Sequence, residues 1–312
     1  MLLKVLLDWI NNNNPLRMIY RYFYRRKFFR KAPIEIINPQ EAKEFEIYTV
    51  AFNNAKVIEY QIKLCEKNIK DEFLHIIIDN SIDKKASSDI KNVCIKYKKM
   101  YIRLPQNTLY SSQHHTLALN YTWINIVQKR MCRYFWFLDH DIFPVKKTSI
   151  LPILKQQKLY GYLIDKYRRW FMWNAWFLWP WFSFFDKTLS RKFDFGLVKH
   201  FLPFYALDSW WANYNLIYKK LNKDAIQFAD KELFWVDYNL KKIHLTYDLI
   251  LDWKPPLKKV YYTYEEIKNW EWIHKWGTYF LWDKNSELYK DYLSTIECFF
   301  ENLEGGLKKK TK

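Results

Sequence analysis

The chain has 312 residues, half of them hydrophobic and 20% aromatic, with 16 Trp and only 5 Gly. That composition supplies a sizeable core and argues against a loop-rich or low-complexity protein. Lys and Arg number 51 against 33 Asp and Glu, a net charge of +18, which favours an anionic partner such as nucleic acid, an anionic membrane surface or a phosphate-bearing substrate.

A bias toward Lys, Asn, Ile, Phe and Tyr, of the kind an AT-rich genome produces, is the competing explanation of the surplus. Cys65, Cys94, Cys132 and Cys298 lie far apart and form no CxxC pair. Neither a disulfide framework nor a zinc site is expected, and a reducing, cytoplasmic compartment fits. The opening MLLKVLLDWI carries Asp8 and is followed by no small-residue cleavage site, so it does not read as a secretory signal. The most apolar segment, Trp170 to Phe185, has 16 residues interrupted by Asn174, Pro180 and Ser183. A spanning helix needs about 20 uninterrupted apolar residues, so none is expected here.

Residues 1–42 read as a helical arm. LRMIYRYFYRRKFFRK mixes large aromatics with Arg17, Arg21, Arg25, Arg26, Lys27, Arg30 and Lys31. Two readings compete: a helix lying on anionic lipid, or a solvated helix docked on the domain by its aromatics. From Phe45 the pattern becomes regular. FEIYTVAF predicts a strand, and Val57, Ile58, Ile62 and Cys65 follow at helical spacing. FLHIIID predicts a second strand, then a short helix, a third strand over Tyr101–Leu104 stopped by Pro105, and a helix capped by Ser111 or Ser112. YFWFL predicts a fourth strand. Strands alternating with helices imply crossover connections, hence an α/β domain with a central, mostly parallel sheet. After Pro144 the rhythm changes, with a helix expected near Leu216, and KKKTK closes the chain. The expected division is an arm over 1–42, a domain over 43–300 and a basic tail over 301–312.

The chemistry concentrates in YFWFLDHDIFP, Tyr134 to Pro144. Ligands of open parallel sheets bind outside the carboxyl ends of strands, where Asp139 and Asp141 stand. On an extended chain, residues two apart face the same side, so both carboxylates would address one target and His140 another. Two like charges this close call for a cation. Mn²⁺ or Mg²⁺, completed by substrate phosphate, suits such oxygen ligands. The alternative is a pair of loop or helix-capping carboxylates, because a three-residue pattern recurs by chance.

The order of the pieces resembles nucleotide-sugar-dependent glycosyltransferases of the GT-A fold, in the broad family-2-like group, over roughly residues 45 to 285. DNSID (Asp79–Asp83) resembles the acidic turn that contacts base and ribose, and HHTLALN (His114–Asn120) the helix ahead of the metal motif. FWFLDHD resembles the strand with its DxD motif. FLWPWFSFFDK resembles an aromatic strand near the acceptor, ALDSWWANYN the segment bearing the acceptor-side acid, and IHKWG (His274–Gly277) a late H-x-x-G motif. Relatives often have glycines where Trp210 and Trp211 stand, a departure that narrows that loop.

The resemblance implies a single GT-A, Rossmann-like domain. It implies transfer of a sugar from a nucleotide-diphosphate sugar, a UDP-sugar first among them, to a glycan or lipid-linked acceptor in polysaccharide or glycoconjugate biosynthesis. It implies roles as well. Asp139 and Asp141 hold the metal, His274 adds a metal or diphosphate contact, and Asp79, Asp139 and Phe52 serve the donor. Asp208 would be the general base if the reaction inverts. The equal alternative for Asp208 is a cap on a helix starting near Trp210. His114 and His115 read as helix-start or surface residues. An enzyme on the inner face of a membrane, with no nucleic-acid partner, fits this picture.

Two rivals stand beside it. A phosphatase with an aspartyl nucleophile wants Thr or Val where Phe143 stands. A basic nucleic-acid-binding protein would use the charge and the aromatics but leaves the strand-end acids unused.

Overall fold

The computed structural model describes residue 24 and residues 26–106, 111–164, 176–189, 217–237, 242–244, 260–267 and 272–275; for 111–113, 179–181 and everything from 231 onward it describes the backbone alone. Four strands form the parallel heart: β2 (Phe45–Ala51), β3 (Leu74–Asp79), β4 (Met100–Arg103) and β5 (Tyr134–Asp139). β2, β3 and β4 are buried at every position. Continuous apolar runs such as HIIID and YFWFL are what a sheet covered on both faces requires.

The connecting helices are α1 (Ala55–Asn68), α2 (Lys84–Lys96) and α3 (Ser111–Asn125). Asn54 caps α1 by accepting the Val57 N–H at 3.1 Å, and Asp83 caps α2 by accepting that of Ala86 at 2.7 Å. Each side-chain oxygen thereby satisfies a donor that a helix start leaves open. Ser111 and Ser112 lie inside the first turn of α3.

The seven-stranded sheet runs β1-β4-β3-β2-β5-β8-β7. β4, β3, β2 and β5 are mutually parallel. The chain steps outward from β2 to β4, then returns through α3 to place β5 on the other side of β2. Packing follows that path. Tyr48, Val50, Ile76, Ile78, Phe135 and Phe137 share one core with Leu117, Tyr121 and Trp123 of α3. Ala51 and Ile77 share another with Ile58 and Ile62 of α1 and Ile90 and Cys94 of α2. Short β1 (Glu35–Ile37) closes one edge antiparallel to β4. At the far end of β2, the buried Glu46 carboxylate is gripped by the Arg130 guanidinium, with Nε to its two oxygens at 2.8 and 2.9 Å.

β8 (Phe177–Asp186) is the second half of the aromatic segment, and it runs antiparallel between β5 and β7 (Leu159–Ile164). Its described side chains are core: Phe185 stacks on Phe135 at 5.7 Å and Phe184 lies 4.2 Å from Trp136. Pro180 is tolerated inside this strand because pairing with β7 shifts register between Gly161 and Leu163, and pairing with β5 reaches only Phe184–Asp186. No ladder bond is demanded of a residue that has no N–H.

Beyond β5 the chain builds a second sheet, β10-β9-β11-β12-β6, with every neighbour antiparallel. Its strands are β6 (Ile142–Pro144), β9 (Lys231–Asp237), β10 (Lys242–His244), β11 (Val260–Ile267) and β12 (Trp272–Lys275). α4 (Leu151–Gln157) follows β6. Leu216, near which a helix was expected, lies outside the described residues; those that follow make short 3-10 turns at Tyr218–Lys220 and Lys223–Ala225. Of the arm, residues 26–29 are helical and dock by Phe28, which is 1% exposed and meets Tyr121 edge-on at 5.3 Å. Tyr121 and Asn125 of α3 donate to the carbonyls of Lys31 and Phe29 that end this turn. Arg26, Lys27, Arg30 and Lys31 face solvent; Arg17, Arg21 and Arg25 lie outside the described residues.

Candidate functional site at the switch point of the sheet

In the parallel register, Val50 pairs with Asp139 and Ala51 with Asp79. The carboxyl ends of β2, β3 and β5 therefore lie level, at the place where strand order reverses. In open α/β sheets this crevice is where ligands bind.

Asp139 closes β5, His140 and Asp141 form a turn, and β6 begins at Ile142. The expected extended geometry over 139–141 is not what the backbone adopts. Ile142–Pro144 leaves the main sheet to pair with β12, and the chain must bend to do so. Asp139 accepts the His140 N–H through Oδ1 at 3.0 Å, and its side chain keeps 10% exposure. Asp141 is 2% exposed. The His140 ring folds back on β2, its Nδ1 3.2 Å from the Val50 carbonyl and so a donor to it.

β12 places the backbone of His274 in register with Ile142, the residue after Asp141. The sequence motif and the carboxylate turn are thus adjacent across two strands, although the His274 side chain is not described. Among the described side chains, no group of three or more His, Cys, Asp or Glu gathers as a metal cage. The donor set itself, two carboxylates within three residues at a strand end, suits a hard divalent cation that takes its remaining oxygens from substrate.

At the same end of the sheet, around the ends of β3 and β4, lies a pocket lined by Asn80, Ser81 and Ile82 after β3, Arg103 and Gln106 after β4, and His114 of α3. Asp79 organises its wall. Its carboxylate is fully buried and accepts from the Ser81 N–H at 2.8 Å and the Tyr101 hydroxyl at 2.8 Å, with the Arg103 guanidinium 3.0 Å away. The group that Asp79 presents to the pocket is therefore Arg103, which also donates to the Ser81 carbonyl at 2.5 Å. Burial, then the Arg103 charge, push the His114 imidazole down to about 4. It is neutral, and the Asn80 amide donates to its Nδ1 at 2.7 Å.

Phe52 is 7% exposed and meets His114 edge-on at 5.5 Å. Asn53 adopts a left-handed backbone, φ 51°, a conformation Asn tolerates better than most residues. There its N–H reaches Ser81 Oγ at 2.8 Å, while its own Oδ1 accepts from Ile82 and Asp83. Asn53 thus ties the β2 and β3 ends together. Asp79, Asp139, Asp141 and Phe52 come together at one end of the sheet, with the backbone of His274 beside them. Asp208 lies outside the described residues.

Sequence reasoning passed over Arg103, Asn53 and Asn80. Arg103 had a signal, a cation closing an apolar strand two residues before Pro105. Asn53 and Asn80 had none beyond their position.

No family model matches the sequence, and no curated protein matches it either. Among solved structures, the chain is similar to the mannosyltransferase PcManGT from Pyrobaculum calidifontis, in complex with GDP-Man and Mn²⁺. That match has 10% identity over 62% of this chain and 57% of the other, TM-score 0.36. It is also similar to the mannosyltransferase Ktr4p from S. cerevisiae, with 8% identity over 72% and 83% of the two chains, TM-score 0.43. A third is S. aureus TarS 1-349 in complex with UDP-GlcNAc, with 14% identity over 41% and 36%, TM-score 0.28. The chain thus spans little more than half of the Pyrobaculum protein and about a third of that TarS chain. Among the described residues, no helix is long and apolar enough to cross a membrane.

Proposed function

We propose that this protein is a nucleotide-sugar-dependent glycosyltransferase that moves a sugar to a glycan or lipid-linked acceptor. The observation that carries the reading is the Asp139–His140–Asp141 turn at the switch point of the sheet, with the backbone of His274 beside it and a pocket holding a fixed guanidinium at the same end of the sheet. In this reading Asp139, Asp141 and His274 hold Mn²⁺ or Mg²⁺. Once bound, that ion would offset charge developing on the departing diphosphate. The pocket of Asn80, Ser81, Arg103 and His114, with Phe52 behind it, takes the base and ribose, and Asp79 contributes by fixing Arg103. Asp208 is the proposed base for the acceptor hydroxyl if the reaction inverts.

Thermal unfolding with a panel of nucleoside diphosphates, each with and without Mn²⁺, tests this. A Mn²⁺-dependent rise of a few degrees with one nucleotide, UDP first, is expected, since a ligand at about 100 times its Kd adds about 2.7 kcal/mol. No response to any nucleotide would overturn the reading.

We further propose that the arm places the enzyme on an anionic membrane surface on the cytoplasmic side. Phe28 turned inward and Arg26, Lys27, Arg30 and Lys31 turned to solvent support this. Flotation with anionic liposomes should weaken with salt and on removing residues 1–23; flotation unchanged by both would refute it.

A further inference from the structure

We infer that Gln61, Thr49 and His75 form a buried positioning relay that sets the Asp139–Ile142 turn, with Asn68 as a second anchor. α1 turns Val57, Ile58, Ile62 and Cys65 into the core, yet Gln61 and Asn68 are buried on the same side, 0% and 5% exposed. They stand seven residues apart, two helical turns. Both amides go to the segment that carries the carboxylates. Gln61 Nε2 donates to the carbonyls of Asp139 at 2.6 Å and Ile142 at 3.0 Å, and Asn68 Nδ2 donates to that of Pro144 at 2.7 Å.

The direction of every bond behind Gln61 is determined. Both of its N–H groups are spent on carbonyls, so its Oε1 must accept, and the Thr49 hydroxyl lies 2.7 Å from it. A hydroxyl that donates there can accept from the His75 Nε2 at 2.8 Å, which therefore carries the ring hydrogen. Thr49 is 0% and His75 1% exposed. A flipped Gln61 amide would set its oxygen against two carbonyl oxygens. The chain from β3 through β2 and α1 thus admits one arrangement, and that arrangement clamps the first and last residues of the turn.

None of these residues reaches the pocket or the carboxylates, so they act through the turn as positioning residues. Their role rests on the proposed function, whereas the test below separates the two. Hydrogen exchange is followed at the amides of residues 140–142 in the full chain without ligand, for wild type, Gln61→Leu, Thr49→Val and Thr49→Ser. Removing a buried bond from the clamp should speed local exchange about tenfold in Gln61→Leu and several-fold in Thr49→Val. Thr49→Ser, which keeps the hydroxyl, should stay within about twofold of wild type. With the nucleotide that stabilises wild type, the Mn²⁺ concentration for half-maximal stabilisation should rise about tenfold in Thr49→Val and return in Thr49→Ser. Unchanged exchange at 140–142 in Thr49→Val overturns the relay, and that variant decides if Gln61→Leu does not fold. Faster exchange with an unaltered Mn²⁺ requirement overturns the positioning role. Faster exchange in a protein whose wild type answers to no nucleotide supports the relay and sinks the transferase reading instead.

Discussion

Asp79 is worth more to this protein as an internal counter-charge than as a surface acid. Asp79→Asn leaves the guanidinium of Arg103, a residue 7% exposed, without its carboxylate. Breaking such a buried pair from one side should cost about 3 kcal/mol or more, read from urea unfolding, and should weaken nucleotide binding as well. Asp141→Ala should differ in kind: transfer falls by about two orders of magnitude or more while the unfolding midpoint barely moves. An unaffected rate would remove Asp141 from the metal site.

His75 gives a pH prediction. Burial, and secondarily the Lys99 ammonium, hold its imidazole down to about 3, against about 6.5 when unfolded. The unfolded chain therefore takes up a proton that the folded chain refuses. The stability this group contributes is complete above about pH 6.5 and is lost as pH falls toward 3, by up to about 1.4 kcal/mol per pH unit. Denaturant midpoints measured from pH 7 to pH 4 should fall less steeply in His75→Gln than in wild type.

The elements show which features a sequence can announce. β2, β3 and β5 were legible because a strand buried on both faces must be apolar throughout, and the acids that close β3 and β5 break that run visibly. Gln61 was legible in principle as a polar residue on the side of Val57 and Ile58 and was passed over, because helical spacing reports burial and not what a buried amide bonds. β6 was not legible, since three residues carry no period and their partner lies some 130 positions away in β12. Pro180 has no N–H to give the strand that contains it, and the bulge opposite removes that conflict. A Cβ on Gly161 would strike the Phe182 carbonyl in that bulge. Gly161→Ala should therefore cost about 2 kcal/mol, because the obstacle is backbone and cannot swing aside. Phe28→Ala, emptying the contact with Tyr121, should cost about 3 kcal/mol, whereas removing residues 1–23 leaves that contact in place; melting curves of the two variants separate docking from membrane attachment.

At the scale of the molecule, one reversal of strand order gathers what the sequence spreads over some 90 positions, from Phe52 to Asp141. The order of strands and helices foretold that reversal only as a fold class. The register that sets Val50 beside Asp139 and Ala51 beside Asp79 depends on cross-strand packing, which no single stretch encodes. The strand-end acids were therefore readable as motifs, and the wall that Arg103 and Asn53 build beside them was not. The surplus of +18 fits a phosphate-bearing substrate and an anionic surface alike, so charge alone could not choose between them.

β6 follows Asp141 with no residue between them, and it is an edge strand of the smaller sheet. The acid stands at one end of a lever whose other end is hydrogen-bonded to β12. A slip of one residue between those two strands would carry the carboxylate about 3.3 Å along the strand and reverse the face it shows. If the turn holds an ion as proposed, its tolerance is set by how well this three-residue splice holds its place together with the Gln61 clamp, and a substitution that loosens β12 would act on the proposed site from outside the pocket.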